Sequence, residues 1–589
     1  MKKILNFAAV AVLTISFSSC ENFLDTTNYW SKTTADFPAS KEDAAQVITG
    51  IYNNLNVSIG NNVHLNHFLW STASSDECLG GGGTNDPAMQ AEDLMLNVGA
   101  NMYDGFYQDR YKGIARANVA LETLANCGLD DNTYKQYMGE AYFLRAWFYY
   151  ELGSMFGNIP VPVTSSADPT LPQLSGEALW GQVLQDLKNA VEIMPAVNNK
   201  ANGHVDKYCA QALLGRVYLF VSGFYGLDTV NLPDGSTIDK AYVGAAIDDC
   251  VKNSGYSLVD KFQNIWAYSN SATKAHESYP LVFGLENKED YQWAENDGAV
   301  NPEAMFVIKF NTQPSWDTTI GYSNQTALFV GVRGNGEGEN TYPFGTGWGM
   351  CPVSPAFVAD WTSAEPNDPR RAASIISTNT WPKYKFGGDS NIQESGYYQT
   401  KTMPVVSYDA DGKLWKSFSN VMFPGLNWSS GNEDNFQLNI INDMIMIRFA
   451  EVLLMDAELN GNQASFDRVR QRAGLASKPC SDENVLRNER RWELAFEGVR
   501  FNDLRRYGES YATAALDKQE GVPVYHSGVL GTNNASKFNG GYGNRYKITK
   551  GFVALPAAQI ALSAAAGAEY QYVQNEGWGT GAVDFQGWQ

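Results

Sequence analysis

Cysteine is sparse and unpatterned in this chain. Of seven, Cys78, Cys127, Cys209, Cys250, Cys351 and Cys480 fall at irregular intervals, and no CxxC pair occurs. A zinc cluster or a disulfide-stapled scaffold needs regular pairs, so neither is legible. Positive charge is also short: 43 Lys and Arg face 64 Asp and Glu, for a formal net charge of −21. A surface of that sign repels nucleic acid and anionic lipid, which excludes both as ordinary partners. Apolar runs of membrane-spanning length are missing throughout, since a span takes about 20 residues. HExxH, GxSxG, the phosphate-binding loop and the dinucleotide fingerprint are absent as well. Gly334–Gly338 and Gly345–Gly349 are glycine-rich but lack the strand-to-helix setting that a phosphate site requires.

What is present begins with the first twenty residues. Lys2 and Lys3 precede a mostly apolar stretch, Ile4 to Phe17, which is too short to cross a bilayer and reads as a signal-peptide core. Ser18-Ser19-Cys20 follows directly, the arrangement of a bacterial lipoprotein whose cysteine is acylated and becomes the first mature residue. Residues 1–19 are therefore expected to be removed, and several acyl chains on Cys20 would hold the protein stably to a membrane. The mature chain would carry −23, since the leader takes two lysines with it. With 44% hydrophobic and 13% aromatic residues, the rest is a cored globular protein.

Asp25 to Ser40 is polar and rich in Ser and Thr, so residues 20–40 read as a lipidated tether. Ser40 is a candidate N-cap for a helix over Lys41 to Leu55, with Ala44, Val47, Ile48, Ile51 and Leu55 on one face. Tyr103 to Ala125 repeats that periodicity, and Tyr134 to Phe156 is aromatic on nearly every side, the mark of a buried helix. Ala141–Leu152, Ala210–Phe220 and Ala450–Leu459 share small residues at helical spacing, a degenerate form of tetratricopeptide-type hairpins. The middle differs: glycine, asparagine, serine and tryptophan dominate, with one credible strand at Glu303 to Phe310. The expected fold is mostly α, with helical parts over 41–235 and 441–589 enclosing a loop-rich, minor-β part over 236–440, all one globular unit.

Several blocks resemble the SusD/RagB family of outer-membrane nutrient-binding lipoproteins. They are GEAYFLRAWFYYELGSMFGNIPVP (Gly139–Pro162), IRFAEVLLMDAELN (Ile447–Asn460), FDRVRQRAGL (Phe466–Leu475), VLRNERRWELAFEGVRFNDLRRYG (Val485–Gly508) and QNEGW (Gln574–Trp578). The resemblance implies degenerate tetratricopeptide-like hairpins with ligand loops on one face. It also implies a SusC-like TonB-dependent transporter as partner, an oligosaccharide ligand, and lipid anchoring at the cell surface in the outer membrane. Peptide binding occurs in some members and is the alternative; a surface glycosidase is a further one. No cofactor is implied, and a structural calcium stays open.

Sugars stack their C–H faces on aromatic rings and exchange hydrogen bonds with short polar side chains and arginine. Two regions offer that mixture. One is Trp70 to Gln90, with Trp70, Asp76, Asn85 and Asp86 around a glycine turn. The other surrounds the strand, with Trp293 before it and Trp316, Tyr322, Arg333 and Trp348 after it. In the family, ligand contacts come from these two parts of the chain. Glu489, Glu493 and Glu497 lie four apart on one helical face and could be mistaken for catalytic carboxylates. Arg487, Arg490, Arg491, Arg500, Arg505 and Arg506 are interleaved with them, so a structural ion-pair network is expected instead. His64 and His67 sit three apart, with no third metal ligand indicated.

Overall fold

The computed structural model describes residues 37–55, 65–316, 322–429, 431–579 and 585–588. The first helix, α1 (Lys41–Asn53), starts where its cap is found: the Asp43 amide donates to Ser40 Oγ. Helices α2 (Asp104–Thr123), α3 (Asp131–Phe156), α4 (Gly176–Ile193), α5 (Lys207–Tyr225) and α6 (Lys240–Asn253) follow, each packed on its predecessor. Asp130, Asp206 and Asp239 cap α3, α5 and α6 by accepting a backbone N–H in the first turn. α6 then packs against α7 (Phe449–Asn460), which lies almost two hundred residues further along the chain. The helical array is thus interrupted at Asn253 and resumes at Phe449.

Glycines set the spacing of this array. Gly215 of α5 faces α6 and α7 so closely that a Cβ there would lie 2.8 Å from Ile247 Cδ1 and 2.9 Å from Met455 Sδ. Mid-helix glycine costs about 1 kcal/mol in propensity, and the close approach it permits offsets that. Buried ion pairs pin the stack: Arg145 of α3 to Asp186 of α4 at 2.6 Å, and Arg216 of α5 to Glu451 of α7 at 2.6 Å.

Within the interrupting segment β1 (Ala304–Ile308) pairs antiparallel with β2 (Met444–Arg448), which runs directly into α7, in the register Met444 to Ile308 and Arg448 to Ala304. The expected strand at 303–310 is therefore present, shortened at both ends. Otherwise the segment holds two-stranded ribbons, short helices and long turns. After α7 come α8 (Gln463–Arg472), α9 (Glu483–Glu493) and α10 (Arg500–Arg506), the last packed back onto α5. The six cysteines beyond Cys20 are all buried free thiols. Cys20 and the leader lie outside the described residues, as does His64.

A candidate sugar-binding face

Four turns meet on one face of the insert: Gly80–Asp86, Gly331–Gly349, Gly387–Asn391 and the strap Asn432–Ile440. Arg333 stands at their junction, its side chain buried against the first three. Its guanidinium contacts Asp86 Oδ2 at 2.8 Å and Asp389 Oδ2 at 3.1 Å, and it donates to the Asp389 and Trp348 carbonyls. The turns nest because they lack side chains where they touch. A Cβ on Gly83 would lie 2.4 Å from Arg333 Nη2, and one on Gly334 would lie 2.1 Å from the Gly388 carbonyl carbon. Gly334 also has φ +67°, which a side chain would strain.

Trp348 is half-buried over this junction, its ring 5.9 Å from the Arg333 guanidinium carbon and 6.0 Å from the ring of Phe436. Phe436 sits on the strap, and the same strap holds the next aromatic pair. The Gln437 carbonyl accepts from Ser323 Oγ and Gln325 Nε2, and the Ile440 carbonyl accepts from the Asn324 amide. Just before these residues, Tyr322 lies 5.6 Å from Trp316, which is 53% exposed. A half-buried ring over a buried guanidinium, a half-exposed ring on the neighbouring loop and short polar groups between them can hold an extended neutral, hydroxyl-rich chain. A cleft of about 530 Å³ lies elsewhere, between α5, α7 and α10, and no residue expected to bind ligand lines it.

The nine expected contact residues divide. Asn85, Asp86, Arg333 and Trp348 come together at the junction, with Asn85 exposed beside Asp86. Trp316 and Tyr322 form the neighbouring pair, although Tyr322 itself is buried and presents only an edge. The remaining three are placed in the interior. Trp70 packs edge-on against Phe501 at 5.2 Å and lies on the short helix His67–Ala73, whose residues are all buried. Asp76 pairs with Arg491 at 2.6 Å and Arg500 at 2.7 Å. Burial would raise its carboxyl, and these two guanidinium groups more than reverse that, holding it well below the usual range. Trp293 is buried edge-on against Phe418 at 5.3 Å. As placed here, none of the three presents a face or a free polar group to a ligand.

Asp389, Phe436 and the stacked Phe386–Tyr525 pair, 3.8 Å apart beside the Gly387 turn, were not singled out from the sequence. The sequence carries a signal at one of them: Phe386-Gly-Gly-Asp-Ser390 has the same mix of aromatic, glycine and short polar residues as Trp70–Gln90.

The carboxylates of the C-terminal signature are structural, with partners different from those expected. Glu493 is held by Arg448 at 2.5 Å, Arg370 at 2.8 Å and Arg472; Glu489 by Arg370 and Arg470; Glu497 by Arg448 and Lys401. None of the interleaved arginines takes part. Arg490 and Arg506 pair with Asp503, Arg491 and Arg500 with Asp76, and Arg487 with Glu483. Burial would raise the Glu493 carboxyl, but Arg472, Arg448 and Arg370 carry it well below the carboxylate range. His67 is buried, bonded to Ser154 Oγ at 3.0 Å, and burial lowers its ring to about 3. Among the described residues no cluster of three metal-ligating side chains occurs.

The class that the fold defines is a helical-hairpin scaffold with a loop-rich, glycine- and aromatic-bearing insert. Residues 264–578 match the family described as "SusD family", and residues 22–219 match one described as "Starch-binding associating with outer membrane". The chain belongs to the SusD family. Similar proteins include SusD-like protein P2 of Formosa agariphila, 25% identical over 73% of this chain and 76% of its own length. SusD-like protein P25 of the same organism is 23% identical over 86% and 90%. Among solved structures, a laminarin-binding SusD-like protein superposes with TM-score 0.64 at 23% identity, over 92% of this chain and all of its own. Surface glycan-binding protein A from Bacteroides fluxus gives 0.67 at 23% identity, over the same shares. At such identities these two likenesses speak for the fold.

Proposed function

We propose that the protein captures an oligosaccharide at the cell surface and passes it to a SusC-like TonB-dependent transporter, without breaking a covalent bond. The observation that carries this is the pairing of the half-buried Trp348 with a buried Arg333 already satisfied by Asp86 and Asp389. A guanidinium bridging two carboxylates leaves acceptor oxygens for hydroxyls and no free acid for protonating a leaving group. The most acid-like cluster, at Glu489–Glu497, is saturated with arginine and lies in the interior. One solved relative binds laminarin and another, from Bacteroides thetaiotaomicron, is in complex with laminarihexaose, so β-glucan oligosaccharides are the first ligands to try. Anchoring through Cys20 would place this face outside the cell. The described residues contain no helix long and apolar enough to cross a membrane.

Calorimetric titration with laminarihexaose and a panel of other oligosaccharides tests the capture. Heat from at least one sugar, no heat from peptides of matched length and no new reducing ends are expected; cleavage of any bound glycan would overturn the reading. Cys20→Ala should move the protein from the membrane to the soluble fraction, and transporter co-purification should be lost with the anchor or with the bound face.

A further inference from the structure

We propose that the stacked rings of Phe386 and Tyr525 form a second sugar subsite, so that the ligand is a chain long enough to run from Trp348 across the Gly387–Asn391 turn. This rests on the reading of oligosaccharide capture and extends it to chain length. The turn is held from two sides. On one, Arg333 pairs with Asp389, and a Cβ on Gly334 would lie 2.1 Å from the Gly388 carbonyl carbon. On the other lies the antiparallel ribbon of Pro523–His526 with Val529–Thr532. The Ser527 amide donates to the Asn391 carbonyl at 2.7 Å, and a Cβ on Gly387 would lie 2.3 Å from the Gly528 nitrogen. A single turn thus separates the junction at Arg333 from the ribbon that carries Tyr525.

The two rings are placed as a platform and not as core. Their centroids are 3.8 Å apart with planes 20° from parallel, and both residues are half-buried. Neither joins the continuous apolar core or the two small clusters beside it. Tyr384, which does pack on that core, meets the Phe386 ring edge-on at 5.3 Å. Its hydroxyl donates to Glu394 Oε1 at 2.6 Å, and Glu394 exchanges backbone hydrogen bonds with Tyr525 at 3.0 and 2.8 Å. Both rings are therefore held in place before a ligand arrives, which spares the ordering cost of binding.

Polar groups stand beside them. Asp389 and Ser390 are exposed on the turn, a carboxylate and a hydroxyl suited to sugar hydroxyls. Asp389, Ser390 and, across the contact, Ser527 have φ of +52°, +53° and +49°. Residues with a β carbon seldom adopt such values, and backbone strain of this kind gathers where ligands are held. Rings off the core beside short polar groups repeat the chemistry at Trp316 and Trp348. Three aromatic stations then lie along one series of touching loops: Trp316 with Tyr322, Trp348, and Phe386 with Tyr525. Arg333 anchors the middle one, and affinity should rise with chain length until the last is covered.

Calorimetric titration with laminaribiose through laminarihexaose tests this, or with the matching lengths of whichever glycan the panel shows to bind. Wild-type affinity should climb with chain length. Tyr525→Ala and Phe386→Ala should flatten the climb, the longest chain losing about tenfold or more, while Tyr525→Phe, which keeps the ring, should restore it. Trp348→Ala should weaken every length. Because an alanine variant can misfold, the wild-type protein is also footprinted with hydroxyl radicals. The longest chain should shield Phe386, Tyr525 and Trp348 together from oxidation. Equal affinity for short and long chains, an undiminished climb in folded Tyr525→Ala, or shielding of Trp348 without Phe386 and Tyr525 overturns the subsite and leaves capture standing. A protein that binds no sugar of any length overturns the capture reading, and the subsite falls with it.

Discussion

At the scale of single residues, the tryptophans separate by what lies beneath them. Trp348 is half-buried beside the Arg333 guanidinium, so on the proposed reading Trp348→Ala should cost at least about 2 kcal/mol of sugar affinity, roughly thirtyfold. Its melting temperature should fall little. Trp70 is enclosed by Phe501, His67 and the rest of its buried helix, so Trp70→Ala should cost about 3–5 kcal/mol of stability and spare the affinity of whatever remains folded. Titration and melting of the two variants side by side distinguish the roles; the reverse pattern would move the binding face. Composition shows aromatic and short polar residues concentrated near glycine turns, which is why Asp86, Arg333 and Trp348 are candidates. It could not show which of them turn inward. Asp76 was misplaced because its partners, Arg491 and Arg500, lie more than four hundred residues away. Trp70 is buried because the segment around it is a helix enclosed on all sides, and seven residues, all of them buried, carry no apolar–polar periodicity to read.

At the scale of elements, α9 with its partners is a charged core. Removing one carboxylate from such a network strands buried guanidinium groups, a loss of about 3–5 kcal/mol. Glu493→Gln should therefore lower the melting temperature sharply while the folded fraction binds sugar normally. The acid side of the stability curve follows from the same group. Glu493 is held well below its ordinary value by Arg472, Arg448 and Arg370 against the opposing effect of burial, and Asp503 is likewise drawn to about 2 by Arg490 and Arg506. Carboxyls depressed in the fold stabilise it fully above their unfolded values near 4, and that stability is lost as pH falls towards 2. Asp93 acts in the opposite sense. Burial raises it to about 7 despite bonds from Gln393 and Tyr542, so the fold keeps a proton that the unfolded chain has released. Stability should decline from about pH 4 to pH 7 at about 1.4 kcal/mol per unit for this group. Asp93→Asn should flatten that decline, melting higher than wild type near pH 7.5 and close to it near pH 4.5; equal slopes would show that Asp93 is ionised in the fold. The helices themselves were legible: α1, α2 and α3 end within a few residues of their expected limits because cap and periodicity agree. The partners of α9 were not, because nearness in sequence suggested the interleaved arginines while the fold brings in Arg370, Arg448, Arg470 and Arg472.

At the scale of the whole molecule, the question is whether the inserted segment is a unit of its own. Sequence texture divides the chain into helical ends and a loop-rich middle, yet texture reports local conformation and says little about cooperativity. The packing joins them. One continuous apolar core runs from Ala44 to Phe585 and includes Trp266, Phe306, Phe344 and Trp381 of the insert together with Trp147, Leu454 and Trp492 of the helices. The insert is also tied in through charge. Glu303, at the start of β1, accepts from Arg448 and from Arg472 of α8, and Arg370 of the insert reaches Glu489 and Glu493 of α9. Opening the insert alone would expose that shared apolar surface and leave buried charges unpaired on both sides, so partial unfolding costs nearly as much as complete unfolding. Differential scanning calorimetry should accordingly show one transition whose calorimetric and van't Hoff enthalpies agree. A saturating oligosaccharide at a hundred times its Kd should raise the whole transition together, by the equivalent of about 2.7 kcal/mol. Two resolved transitions, with ligand moving only one of them, would show the binding face to be an independent domain carried by the helical array.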